Sequence, residues 1–397
     1  MTTTPQTSPD AAQVEIEKPV PPVAGEGEIE TPVTPRRVLI LHNEPVLPKD
    51  HPDAESEHEI IYTSGEVKKY LGDAGHTVEL LGVGRDPSKL IDGIRAFGPD
   101  VVFNLFEGLA DMYESEAYVA GILEFLSIPY TGSPYKALAV ARDKSQTKRL
   151  LLGSDIPTAR FMEILQQPAP QCVLHFPVIV KPGAQDASVG VDQGSVVRDQ
   201  EAFEKRVTYL LERYGPPVIA EEFLTGREFS MAMVEIPELT CMPISEITFT
   251  NPDPDWWPIV TYDAKWRPGT VDYDQTPTDF PAKVTDELKE ILEATAKRAF
   301  RLLGLRDYGR VDIRLDSQSR PCVMEVNPNP DFSPLAGCAT AMEEGEVGHA
   351  WFSNHMVEQA YQRGQAVAPL KILEPPMTPV VPVTNHEVAA KFEGLGF

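Results

Sequence analysis

The chain has 397 residues, 42% of them apolar, enough for a sizeable core in two or three modest domains or one multi-lobed enzyme. With 60 acidic against 35 basic residues, its net charge of −25 argues against partners such as nucleic acid or an anionic membrane surface. No apolar run reaches the ~18 residues of a membrane span and no leader pattern opens the chain, so the default expectation is a cytoplasmic protein. Cys172, Cys241, Cys322 and Cys338 lack metal-like spacing and fit buried free thiols.

Residues 1–35 hold seven prolines and an acidic excess, a composition that reads as a disordered tail; residues 366–397, with five prolines, read as a second flexible tail. Between them, residues 36–133 alternate strand and helix. Arg36–His42 is a short apolar run of the buried parallel type. Helix from about Ser64 to Ala74, strand at Val78–Leu81, helix 87–97, strand at Asp100–Asn104 and helix 114–126 follow, the rhythm of a parallel α/β layer. A helix rich in Lys and Arg is expected over 135–153. From 157 the texture becomes strands: Arg160–Ile164, Pro177–Lys181, Val189–Val197, Val218–Glu222 and Glu228–Val234, interrupted by a helix at 199–214. Residues 240–283 look irregular, with Trp256, Trp257, Trp266 and seven prolines. Helix 285–303 carries Leu288, Ile291, Leu292, Thr295, Leu302 and Leu303 on one stripe and stops at Gly304. A final helix is expected at 349–363. The fold class is α/β, becoming α+β toward the C-terminus, with lobes at 36–133, 134–217 and 218–365.

The most informative stretch is 308–331, YGRVDIRLDSQSRPCVMEVNPNPD. Val311, Ile313 and Leu315 alternate with Arg310, Asp312 and Arg314. After a polar turn, Cys322, Met324 and Val326 alternate with Val323, Glu325 and Asn327. Folding the hairpin about residues 318 and 319 sets Asp312 opposite Glu325, at the ~5 Å Cβ separation of cross-strand partners. Two carboxylates so close repel unless a cation lies between them or one keeps a proton. Asn327 faces the same way, giving an all-oxygen set that suits Mg²⁺ or Mn²⁺ rather than zinc. Arg310 would look toward the same place and could hold a phosphoryl oxygen. A lone D-x-R on a strand is ordinarily a solvated face; Glu-x-Asn-Pro across the hairpin favours a metal.

Other segments are open to two readings. Val178-Ile-Val-Lys181-Pro182 ends a buried strand in a lysine, and Gly183–Gly190 is a small-residue loop of the kind that approaches phosphates. A structural lysine at a strand end would look the same alone. Glu221, Glu222 and Glu228 fit either nucleotide recognition or a solvated strand–turn–strand corner. No G-x-x-x-x-G-K-[ST] is present, and Gly82-Val-Gly84 is an ordinary turn.

Together these residues resemble the ATP-grasp superfamily and, within it, the D-alanine–D-alanine ligase family, over roughly 36–363. Ser56–Gly65 resembles the N-terminal substrate loop, with Glu57 positioning the first substrate. Ile128–Ser133 and Arg142-Asp-Lys144 resemble the approach to the first ATP lysine. Lys181 resembles the second ATP lysine, and Ser188-Val-Gly190 the phosphate-covering loop. Glu221-Glu222-Phe-Leu224 and Glu228 match the adenine hinge and ribose carboxylate, and Tyr262-Asp-Ala-Lys265 the loop closing over the phosphates. Arg310 matches the oxyanion arginine; Asp312, Glu325 and Asn327 match the Mg²⁺ ligands. The resemblance implies ATP as substrate, Mg²⁺ or Mn²⁺, small-molecule amino acid or amine partners, and an acyl phosphate that an amine displaces. Related enzymes are often dimers, which leaves a homodimer open. Ala187, Trp266, Glu107 and the Asn327-Pro-Asn-Pro-Asp331 segment depart from the family pattern, all on the substrate side. Glu107, Asp331 and the tryptophan-rich loop hint at a larger or more cationic amine. The alternatives are a ligase of the same chemistry for other amino acids or amines, and an ATP-binding protein without ligase activity.

Overall fold

The structure, a computed structural model, describes residues 33–47, 54–109, 112–333 and 336–366, with the side chains of 54–57 outside that set. The expected tails therefore fall almost wholly outside the described residues.

The N-terminal layer comprises β1 (Arg37–Asn43), α1 (Ala54–Asp73), β2 (Thr77–Val83), α2 (Pro87–Phe97), β3 (Val101–Leu105) and α3 (Ser115–Phe125). Its three strands lie in the order β2-β1-β3, all parallel, as the apolar run at β1 implied. α2 shows why its boundaries were legible. Asp86 caps it by accepting from Ser88 N, Pro87 supplies a fixed first-turn φ, and Gly98 closes it at φ 60°. α1 was not so legible: it begins ten residues before the expected start, so the segment 56–65 is helix, not loop. Ile60, Val67 and Leu71 form its buried stripe, but the acidic residues before them mask the period.

The expected helix 135–153 is two helices, α4 (Tyr135–Arg142) and α5 (Lys144–Gly153). Asp143 breaks the run: its backbone is extended, and its carboxylate caps α5 through Gln146 N at 2.8 Å. A four-stranded antiparallel sheet follows, in the order β4-β7-β5-β6. It is built of β4 (Phe161–Ile164), β5 (Val178–Pro182), β6 (Val196–Val197) and β7 (Val218–Glu222), with α6 (Gln200–Tyr214) packed on one face. The strand expected over 189–197 shrinks to β6, because Asp192 nucleates a capped 3₁₀ turn at 193–195.

The third sheet has six strands, in the order β11-β10-β8-β12-β13 with β9 also on β8. It contains β8 (Glu228–Ile236), β9 (Glu238–Cys241), β10 (Ser245–Ile247), β11 (Thr278–Asp279), β12 (Tyr308–Leu315) and β13 (Pro321–Asn327). Helices α7 (Tyr262–Trp266), α8 (Val271–Asp274), α9 (Asp286–Leu303), α10 (Gly337–Glu344) and α11 (His349–Ala366) complete the described chain. The segment 240–283 is thus less irregular than expected, and α10 was missed altogether. α9 buries Leu292, Thr295, Ala296, Ala299, Phe300 and Leu303, while Ile291 is half exposed, so the stripe is centred one position away from the expected one.

The β12–β13 hairpin carries the site. Asp312 pairs with Glu325 and Arg310 with Asn327, but beyond a bulge Ile313 pairs with Val323. The extra residue, Met324, reverses the alternation, so Val323 joins Val326, Val311 and Ile313 in the core instead of sharing the face of Glu325.

Two of the cores differ in reach. One joins Val38, Ile40 and Phe103 of the parallel sheet to Val234, Tyr308 and Met356 of the C-terminal part. The antiparallel sheet keeps its own, with Val180, Val218 and Ala220 packed on Phe203, Val207 and Leu210 of α6. The first union is reinforced by Asp307, 1% exposed, which accepts from Gly132 N at 2.8 Å and from both Arg363 Nη atoms at 2.6 and 2.8 Å.

Candidate active site

The site lies where the two antiparallel sheets and the parallel layer meet, around a cavity of about 110 Å³. At its base, the hairpin register sets Asp312 against Glu325 on the face away from the core. Each carboxylate already has a protein cation. Arg310 Nε lies 3.0 Å from Asp312 Oδ1, and Lys144 Nζ lies 2.7 Å from Glu325 Oε1. Ser230 Oγ also donates to Asp312 at 2.8 Å.

Lys144 stands at the first position of α5, placed there by the Asp143 cap. It donates further to Gln185 O at 2.7 Å and Asp186 Oδ1 at 3.0 Å. One ammonium thus touches β13 of the large sheet and the 183–190 loop of the small one. Burial opposes its charge, but Glu325 and Asp186 prevail and hold its pKa above the usual lysine value.

Lys181 ends β5 with Nζ 2.8 Å from Glu221 Oε1, and Lys148 reaches Glu221 Oε2 at 2.9 Å. Lys148 is 1% exposed and also donates to Thr158 Oγ1 at 2.8 Å. Burial would raise Glu221, but the two ammonium groups overcome it and lower the carboxylate to about 2. Lys148 was not singled out from sequence. The available signal was its place one helical turn beyond Lys144, on the same buried face.

Glu228 is buried on β8 and paired with Arg314 of β12 at 3.0 Å; burial is the largest influence on it and raises its pKa. Leu224 is partly buried at the turn after β7. Glu222 is not brought to the same place as Glu221. Alternation along β7 turns it to the other face, where His175 Nδ1 lies 2.8 Å and Arg160 Nη1 3.2 Å away. Glu57 lies in the first turn of α1 with its side chain outside the described residues; Glu59, on the same helix, lines the cavity.

Ala187 and Ser188 hold left-handed backbone, φ 53° and 60°, as does Gly190 at 75°. Side chains at positive φ persist only where the surroundings pin them. Here α7 does so: Trp266 Nε1 donates to Ala187 O at 3.0 Å, and Tyr262 N to Val191 O at 3.0 Å. The loop is therefore tied to α7 through the backbone carbonyl of Ala187. The indole can only donate, and a carbonyl is what it meets. Lys265 of α7 lies 5.6 Å from the Trp266 ring centre and faces Arg310, Asp312 and Asp331.

The substrate end was less legible. Arg142 binds Glu116 and Asp186, and its Nη2 donates to Glu107 O at 3.1 Å. Asn329 Nδ2 donates to Phe106 O at 3.2 Å, docking the segment after β13 onto the parallel layer. None of Arg142, Glu116 and Asn329 belongs to a recognisable spacing; topology alone gathers them.

The residues fit a divalent cation: two facing carboxylates and one amide oxygen, all hard donors. Asn327 Oδ1 accepts from Asn329 N at 3.0 Å, which leaves its second lone pair free for a metal.

Two antiparallel sheets with lysines of β5, α5 and α7 between them, above a carboxylate-bearing hairpin, define an ATP-grasp ligase. A family model described as the D-ala D-ala ligase C-terminus matches residues 153–356. An uncharacterized protein, y4sG, of Sinorhizobium fredii is 30% identical over 66% of this chain and 75% of its own. A D-alanine–D-alanine ligase of Moorella thermoacetica is 31% identical over 70% of this chain and 87% of its own. The crystal structure of a D-alanine–D-alanine ligase from Bacillus anthracis complexed with ATP superposes with TM-score 0.64 at 20% identity, covering 83% of this chain and 99% of that one. The chain belongs to the D-alanine–D-alanine ligase family and is an ATP-dependent ligase that forms a peptide bond. Among the described residues no helix is long and apolar enough to cross a membrane.

Proposed function

We propose that the protein activates the carboxylate of one small amino acid with ATP and Mg²⁺ or Mn²⁺, and joins it to the amine of a second. The observation that carries this reading is Lys144 bridging Glu325 and the 183–190 loop, cationic charge held where the two sheets face each other.

In this reading Lys144, Lys181 and Lys265 hold the phosphates, with Ser188 in the covering loop. Glu221, the 222–224 backbone with Leu224, and Glu228 receive the base and ribose. Asp312, Glu325 and Asn327 would hold the metal, which supplies neutralisation of phosphate charge. The substrate carboxylate oxygen attacks the γ-phosphorus and ADP leaves. The amine then attacks the acyl carbon, the C–O bond to phosphate breaks, and the amine loses a proton. Arg310, held rigid by Asp312, stabilises the oxyanion of that second step, and Glu57 positions the first substrate. Little covalent help from the protein is needed, since orientation and charge complementarity supply the rate. D-alanine is the first candidate for both substrates because relatives carry that name; Glu107 and Asp331 favour a different amine. We place the reaction in the cytoplasm, where ATP and reduced thiols coexist, and retain lobe boundaries at 36–133, 134–217 and 218–365.

The test is phosphate release by the full chain with ATP, Mg²⁺ and paired amino acids, with hydroxylamine to trap the acyl phosphate. Release that requires both a carboxylate and a divalent cation is expected. ATP binding without release for any pair would refute the ligase reading.

A further inference from the structure

Resting on that reading, the far end of the cavity says more about the amine. Glu59, Glu107, Glu116 and Asp331 all line it. Glu116 is answered by Arg142. Glu107 is not answered: among the described residues no side chain hydrogen-bonds its carboxylate. Its backbone, by contrast, is fixed on both sides. Glu107 N donates to Asn43 Oδ1 at 3.4 Å and Glu107 O accepts from Arg142. Gly108 follows at φ 97°, where a Cβ would come within 2.9 Å of Tyr113 O. The turn therefore leaves the Glu107 side chain directed into the cavity.

The opposite wall carries Asp331. Its oxygens accept only from its own turn, Ser333 N at 2.7 Å and Ser333 Oγ at 3.0 Å, and no cation pairs with it among the described residues. The Asn329–Phe106 hydrogen bond holds the two walls together. Burial first, and then the charge of Asp331, push Glu107 up to about 8. The nearby cations are engaged elsewhere: Arg142 with Glu116 and Asp186, and Arg310 with Asp312. Lys265, 5.6 Å from the Trp266 ring centre, acts on both carboxylates through space but makes no ion pair with either. Two carboxylates lining one cavity, with fixed backbones and no ion pair to either among the described residues, leave room for one positive charge from the ligand.

We infer that the amine substrate carries a second cationic group, held between Glu107 and Asp331, so that the preferred acceptor is a diamino acid or a diamine. A neutral side chain would leave the pair relieved only by the proton that Glu107 keeps. An ammonium would neutralise them and gain charge-assisted hydrogen bonds.

The test uses the full chain with ATP and Mg²⁺, with D-alanine and each common α-amino acid as donor. Acceptors are offered as isosteric pairs: lysine against norleucine and ornithine against norvaline, both enantiomers of each, and 1,4-diaminobutane against butylamine. Product mass and phosphate release are read together. The charged member should have a KM lower by about 10- to 100-fold. Glu107→Gln and Asp331→Asn should each collapse that ratio by raising the KM of the charged member, with the KM for ATP unmoved. Equal use of both members, unaffected by either variant, overturns the inference and leaves the ligase standing. No product from any pair, with ATP bound, overturns the ligase reading and this one with it.

Discussion

Replacing Lys148 by methionine removes one of the two ammonium groups from a carboxylate that is 3% exposed. Glu221 is held at about 2, below the ordinary glutamate value of 4.5, against the burial that alone would raise it. At ~1.4 kcal/mol per pH unit, a carboxyl held that far down contributes about 3–4 kcal/mol of stability at neutral pH. The sign follows from the depressed folded value: the contribution is full above 4.5 and is lost as pH falls toward 2. Lys148→Met should therefore cost about 3–5 kcal/mol, the range for breaking a buried pair from one side. Glu221→Gln added to it should recover only part of that, because it removes the buried carboxylate but leaves Lys181, whose side chain is 16% exposed, without its partner. Urea unfolding of the four proteins at pH 7, monitored separately by tryptophan fluorescence and far-UV dichroism, completes the double-mutant cycle. A coupling of ~2–3 kcal/mol is expected. Below ~0.5 kcal/mol, Lys148 and Glu221 do not sense each other and the buried triad has been misread.

Asp312→Asn and Glu325→Gln should each lower divalent-dependent phosphate release by about 100-fold or more, with ATP binding measured by calorimetry retained; near-normal turnover in both would refute their role. Trp266→Phe loses the indole donor to Ala187 O, worth ~1 kcal/mol, so the KM for ATP should rise about fivefold while the fold, read by dichroism, stays intact. Glu107, raised from 4.5 to about 8, weakens the fold as pH rises between those values and levels off above 8. Glu107→Gln should accordingly unfold at higher urea than the parent at pH 8.5, by up to a few kcal/mol, and the gap should vanish near pH 4.5. A gap independent of pH would show that the carboxylate is not crowded.

Much of this was legible because it is local. The alternation at 310–315 and 325–327 set Asp312 opposite Glu325, as the register has it, and helix 87–97 matches α2 to the residue. The Pro177–Lys181 run gave β5 with a one-residue offset. What escaped depended on the third dimension or on a single inserted residue. Nothing in the sequence marks Met324 as a bulge, so Val323 was assigned to the wrong face. Asp143 is a helix breaker only because its carboxylate caps the next helix, a choice invisible in a run of helix formers. That Trp266 ties the loop through the backbone carbonyl of Ala187 is invisible to a reading of side chains alone. Arg142, Glu116 and Asn329 come together from three separated segments, and no spacing rule reaches that far.

The unequal sharing of cores has a mechanical meaning. The parallel layer and the six-stranded sheet share one hydrophobic interior and the Asp307 latch, so they form a single rigid jaw. The four-stranded sheet, with an interior of its own, is the jaw that can swing. Its pivot is the strip where Val323 N donates to Pro157 O and Thr158 Oγ1 to Val323 O, at 2.8 and 2.6 Å. Away from that strip it is tied by polar contacts, Lys144 to Gln185 and Asp186, Trp266 to Ala187 and Gln193 to Trp257. Parting those contacts would leave both interiors, that of the four-stranded sheet and that shared by the parallel layer, intact.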